Sequence, residues 1–244
     1  MLQSIFRNMQ PVVKNLLILN LLFFFAKFIF EQKGIYLGPI LGLHYISSEE
    51  FQPYQLATHF FMHADFRHIL FNMFGLVVFG NMLERIWGAK RFLIFYFITA
   101  LGAAFLHQLV QGIELYQITG TFFPDHEYIN TLFTIKGDSV YGDPANGHLY
   151  PAYASLKHYA LGASGALYGI LVGAAMYFPN TEVMLYFAFR VKIKWLALGL
   201  GVLELVSIVQ DNPGDSVAHY AHIGGALFGF IIIKIWQRNQ NQFY

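Results

Sequence analysis

Six apolar stretches, each near the roughly 20 residues that a lipid bilayer demands, dominate the chain. They run over residues 12–31, 68–87, 92–111, 161–178, 195–210 and 217–236, the fifth being short and carrying Glu204. Hydrocarbon offers no partner to a bare backbone N–H or C=O, so each stretch must satisfy its own hydrogen bonds as a helix. That constraint predicts an all-α membrane protein, a six-transmembrane-helix bundle in a single domain over 1–244. Composition agrees: 56% of residues are apolar and 12% charged, about half the charge of a typical soluble domain. The 26 Phe and 15 Tyr suit lipid-facing surfaces and membrane–water interfaces.

Several function classes are excluded. A net charge of +1 argues against a nucleic-acid partner, which would need a basic face. The absence of cysteine removes disulfides, thiolate zinc sites and a cysteine nucleophile. Residues Leu16 to Phe30 imitate an apolar signal core, but Glu31, Gln32, Lys33 and Gly34 follow instead of a small-residue cleavage pattern, so the segment reads as a retained first span.

Lysine and arginine set the expected orientation. Arg7, Lys14, Arg85, Lys90, Arg91, Arg190, Lys192, Lys194, Lys234 and Arg238 fall on one side, and Lys33, Arg67, Lys136 and Lys157 on the other. Both termini are therefore expected in the cytoplasm, with spans two, four and six all starting on the outer side. Two connections are long. Residues 34–67 are aromatic and only mildly polar. The segment 114–158 between helices 3 and 4 holds Pro124, Asp125, Gly142, Asp143, Pro144, Asn146 and Gly147, which are turn signals, and reads as a long external loop.

Polar groups inside a span are costly and point to function by default. Here they are His68, Asn72, Asn81, Glu84, Arg85, His107, Ser164, Glu204, His219 and His222. His68, Asn72, Ser164 and His222 lie in the first turns of spans that start on the same side, so topology alone gives them a common depth. A serine hydroxyl needs a neighbouring base to become a nucleophile, and histidine is the usual one. A developing oxyanion needs aimed donors. His68 and Asn72, four residues apart, share one helix face, and the Ser164 N–H lies in a first helical turn without an internal partner. Gly162, Gly165 and Gly169 flank Ser164, while Gly225 and Gly229 follow His222; such small residues let helices approach backbone to backbone. The plain reading of a serine or glycine in a span is packing. Four suitable residues at one depth outweigh it. Glu84, Arg85 and Glu204 read as structural hydrogen-bond makers near the cytoplasmic side or between helices, and His44 and His107 as structural. Tyr168, one turn below Ser164, is either core or a partner for the His222 ring.

These pieces resemble the rhomboid family of intramembrane proteases: His63 to Asn72, Gly162 to Gly165, and Ala221 to Gly229, in order and at matching spacing over about 50–236. The resemblance implies a Ser164–His222 catalytic dyad with no acidic third member, an oxyanion hole from His68, Asn72 and the Ser164 amide, Tyr168 stacked on His222, and Glu84 with Gly88 as the family's Glu-x-x-x-Gly. It implies single-span membrane proteins as substrates, cut in or near the outer membrane boundary, with no cofactor or metal. The expected setting is a multi-pass protein of a bacterial cytoplasmic membrane. The chain departs from the family in two places: Tyr54 and Gln55 stand where a Trp-Arg pair is frequent, and Ile86 where an Arg is. The rival readings are a metal-dependent membrane enzyme, an inactive rhomboid-like binder of membrane proteins, and a transporter. His59 and His63 have a metal pair's spacing, but Phe60 stands where a zinc protease needs Glu. Asp125, His126, Glu127, His148 and His158 offer ligand atoms in a solvated loop.

Overall fold

The computed structural model describes residues 8–136, 139–185, 189–210 and 218–240; Arg7 and residue 217 lie outside them. Among the described residues the principal helices are α1 (Pro11–Glu31), α2 (Phe66–Trp87), α3 (Ala89–Thr119), α4 (Ser164–Tyr177), α5 (Ile193–Gln210) and α6 (His219–Gln240). Five are long and apolar enough to cross a membrane, α6 by its segment His219–Arg238; α4 is a shorter apolar helix of 14 residues. Their outward faces carry exposed Leu22, Phe25, Ile29, Leu198, Leu203 and Val209, a surface suited to lipid and not to water. The protein is therefore an integral membrane protein.

Polar residues of α2 explain how α1 begins. Pro11 opens α1, where a missing N–H costs nothing. The Glu84 carboxylate accepts the next two N–H groups, from Val12 and Val13, each at 2.9 Å. Asn81 Oδ1 accepts from Gln10 N at 2.7 Å. One neighbouring helix thus caps another. Midway, α2 widens into a π turn at Leu76–Gly80, which re-phases its two ends: His68 and Asn72 above, Asn81 and Glu84 below. At the other end Asp65 caps α2 by accepting the His68 N–H at 2.9 Å. Gly88, at φ +77°, turns the chain from α2 directly into α3.

Helix α3 runs eight residues beyond the expected 92–111, to Thr119. Polar residues at the end of the expected span hold distant segments: Gln108 Nε2 donates to the His44 carbonyl at 3.0 Å, and Gln111 Nε2 to the Ser155 carbonyl at 2.9 Å. The extra turns support the segment that follows. That segment has its own elements: a helix at His126–Thr131, a hairpin pairing Phe133–Lys136 with Ser139–Gly142, a 3₁₀ turn at Pro144–Leu149 and a helix at Tyr150–Lys157. Ile129, Phe133, Ala152, Tyr153 and Leu156 pack with Leu115 of α3 and Tyr45. A second hairpin, Glu182–Leu185 with Phe189–Lys192, joins α4 to α5 where the sequence reading had only a cationic loop.

The 34–67 connection is pinned rather than loose. Gln55, one of the residues that depart from the family, is 1% exposed. Its amide donates to the carbonyls of Ile40 and Glu50, and its oxygen accepts from His44 N. Leu43–His44 pairs antiparallel with Tyr159–Ala160, so this connection grips the chain just ahead of Ser164.

The main core gathers Val13, Leu76, Leu83, Phe92, Phe95, Tyr96, Ile170, Ile193 and Ile233. Helix α6 packs chiefly on α3 and α4. Small residues make that possible. A β-carbon on Gly229 would stand 2.8 Å from Gly169 Cα of α4, and one on Gly224 would stand 3.0 Å from Ala103 Cα of α3. Helix α5 is peripheral by contrast, with Ile193 and Glu204 as its buried residues.

Candidate active site

The strand Tyr159–Ala160 leads through Leu161 and Gly162 into α4. Gly162 adopts φ +121°, a conformation that L side chains rarely reach. Its N–H donates to the His59 carbonyl at 2.9 Å. A β-carbon there would fall 2.7 Å from both Cε1 and Nε2 of His68, so the space a side chain would need is taken by the His68 ring. This turn delivers Ser164 as the first residue of α4, its N–H ahead of the first intrahelical bond.

His222 sits in the first turns of α6. The near contact of the α4 and α6 backbones carries it to Ser164: Nε2 lies 2.7 Å from Ser164 Oγ. The Tyr168 ring stacks on the imidazole, with centroids 4.4 Å apart and planes 12° from parallel. His222 is 8% exposed, so solvent does not compete strongly for the ring.

The second ring nitrogen of His222 faces an acid. Glu204 Oε1 lies 2.9 Å from Nδ1, although not along the N–H direction, since Nδ1 has no aligned hydrogen-bond acceptor. The same carboxylate accepts the Tyr168 hydroxyl and lies 2.5 Å from His219 Nδ1 through Oε2. Glu204 was expected to make structural hydrogen bonds near the cytoplasmic side or between helices. It does bridge helices, but beside Ser164 and His222.

Of the expected donors, His68 is the better directed. Its Nδ1 accepts from Ala64 N at 3.4 Å, which in the neutral ring leaves the hydrogen on Nε2, the nitrogen beside Gly162. Asn72 is 4% exposed. Its Nδ2 donates to the His68 carbonyl one turn back at 2.7 Å, and its Oδ1 is buried without a partner. The amide thus back-bonds along its own helix. It keeps a second N–H. Behind Ser164 a cavity of about 30 Å³ is lined by His59, His107, Ala104, Gly162 and Ala221 among others, room for about one water.

The structure thus gathers Ser164, His222, Tyr168, Gly162 and His68 around one point, with Gly165, Gly225 and Gly229 along the seam that brings α4 to α6. Among the described residues, one group of three metal-ligating side chains lies close together: Glu204, His219 and His222, with ligand atoms within 4.8 Å. His59 is instead committed to the Gln55 carbonyl, 2.6 Å from its Nδ1, and burial lowers its pKa to about 4. His63 is fully buried with both ring nitrogens unpartnered; burial lowers its pKa to about 3. Asp125 caps its short helix by accepting the Tyr128 N–H at 3.0 Å. The sequence reading missed His219 and Gln55 as organisers of the site. Their only sequence signal was polarity in an apolar setting.

Comparison with known proteins gives one family. The rhomboid domain model matches residues 50–122 and 128–239. The chain is 25% identical over 170 residues to rhomboid protease GlpG of Haemophilus influenzae, covering 64% of this chain and 83% of that one. It is 26% identical over 220 residues to RHOMBOID-like protein 12, mitochondrial, of Arabidopsis thaliana, covering 89% of this chain and 56% of that one. Rhomboid-like protein 19 of the same plant is 28% identical over 171 residues, covering 70% of this chain and 44% of that one. The chain therefore spans about half the length of these plant relatives.

Proposed function

The chain belongs to the rhomboid family, and from that premise we propose that it is an intramembrane serine endopeptidase with Ser164 as nucleophile and His222 as general base. The observation that carries this reading is the 2.7 Å separation of His222 Nε2 and Ser164 Oγ. It is a hydrogen-bond distance along which a proton can pass as the oxygen attacks.

In the proposed reaction Oγ adds to the scissile carbonyl carbon and its proton moves to Nε2. The carbonyl oxygen becomes an oxyanion. The Ser164 N–H, the His68 Nε2–H and the free N–H of Asn72 are its donors. Collapse breaks the C–N bond, and the leaving amine takes the proton from Nε2. Water then attacks the acyl-enzyme, giving a proton to Nε2. Ser164 departs from the carbonyl carbon and recovers that proton.

The substrates we propose are single-span membrane proteins, cut in or near their transmembrane segment. We read α4 as a sixth span shortened at its Ser164 end, which opens the bundle on the side of the site. We place both termini on the cytoplasmic face of a bacterial membrane and the 114–158 segment outside, following the lysine and arginine bias. Purified protein in liposomes, incubated with tagged single-span substrates, tests the proposal. Wild type should release a discrete fragment, and Ser164→Ala none. Equal cleavage by both rejects it.

A further inference from the structure

Resting on the protease reading above, we propose that Glu204 is a positioning residue for His222, completing a Ser164–His222–Glu204 relay. A carboxylate is costly on a helix that otherwise faces lipid. On α5, Trp195, Leu198, Val202, Leu203, Leu205 and Val209 are exposed, whereas Glu204 is 7% exposed. Its oxygens are met from two other helices: by the Tyr168 hydroxyl of α4 and by His219 Nδ1 and His222 Nδ1 of α6. One carboxylate therefore holds both the His222 ring and the tyrosine stacked on it.

The chemistry follows from which nitrogen carries the hydrogen. An anion 2.9 Å from Nδ1 favours the tautomer with hydrogen on Nδ1, which leaves the Nε2 lone pair toward Ser164 Oγ. Once Nε2 has taken the serine proton, the imidazolium keeps a negative charge beside it. Glu204 itself takes no proton in this scheme. Because the contact is oblique to the N–H, its effect is that of a charge-assisted contact and not of a fully aligned acid. His219 and Tyr168 hold the carboxylate in place, and His68 faces the site from α2.

Full-length protein in liposomes provides the test. Relative to wild type, Glu204→Gln should lower kcat roughly tenfold, the lower end of the range for a hydrogen bond to a charged group because the contact is oblique, with KM little changed. Phosphonate labelling of Ser164 should slow in parallel, and Glu204→Asp should recover part of the loss. Histidine ¹⁵N spectra should show His222, identified by its loss in His222→Gln, as the Nδ1–H tautomer. A folded Glu204→Gln with kcat within about twofold of wild type overturns the inference. So does inactivation of wild type by a chelator, which would assign Glu204, His219 and His222 to a metal. If Glu204→Gln does not fold, wild-type His222 found as the Nε2–H tautomer is equally fatal. Should wild type neither cleave substrate nor label at Ser164, the protease reading fails by itself, and the ¹⁵N tautomer still reports whether Glu204 sets the His222 ring.

Discussion

Gly225 of α6 lies so close to Gly165 of α4 that a β-carbon on Gly225 would stand 1.8 Å from the Gly165 carbonyl oxygen. No rotamer change relieves a clash with backbone, so the helices must separate. Gly225→Ala should cost about 1–3 kcal/mol, the usual range for overpacking, and should move His222 away from Ser164. Thermal unfolding and phosphonate labelling of the folded fraction should both fall. Gly199→Ala is the control, because nothing lies within 4 Å of its β-position and alanine favours a helix. A Gly225→Ala protein that labels at the wild-type rate contradicts the packing account of the site.

Glu84 should behave as a structural residue. Its carboxylate accepts the Val12 and Val13 N–H groups at 2.9 Å each and is 1% exposed. Glu84→Ala leaves both donors unsatisfied and should lower stability by about 1–3 kcal/mol, while labelling of Ser164 in the folded fraction stays near wild type. Lost labelling at unchanged melting temperature would place Glu84 in the chemistry instead.

Acid should destabilise the protein through His59. In the fold its pKa is lowered to about 4 by burial, from the 6.5 of a free imidazole, so the unfolded chain binds the proton first. Stability is whole above about pH 6.5 and declines as pH falls toward 4, where the loss is complete. His63, lowered to about 3, extends the same trend further into acid. Melting temperatures in detergent should fall across this window, and His59→Gln should flatten the upper part of the slope. A pH-independent melting temperature between 4 and 6.5 contradicts the assigned burial.

The proposed oxyanion donors predict graded losses. Asn72→Ala should slow turnover by up to roughly 10²–10³, the effect of removing one such donor. The Asn72 back-bond to the His68 carbonyl places its effect at the lower end, below that of His68→Ala. Substrate binding should change less than turnover, because the donors act on charge absent from the ground state. If Asn72→Ala lowers the melting temperature while the folded fraction turns over normally, Asn72 only braces α2.

Much of this was legible from polarity and period. Ser164, His222, His68 and Asn72 were found by counting depth along spans whose ends the apolar stretches mark, and the glycines of α4 and α6 mark the seam between them. Glu204 was as countable. It lies six residues from Gln210, at the end of α5, about 9 Å along a helix axis, close to the depth of the others. The family's two-residue dyad assigns no role to an acid at that depth. The extent of α3 was not legible, because the segments that brace its far end, His44 against Gln108 and Ser155 against Gln111, lie far away in the chain. Nor was the pinning role of Gln55, whose partners lie in a connection without periodicity.

The most direct measurement is the site of covalent attack. Purified protein treated with a serine-directed phosphonate should carry a single adduct, located by mass spectrometry on Ser164 and absent from His222→Ala. An adduct on another serine, or proteolysis that persists in Ser164→Ala, would contradict the account at its centre.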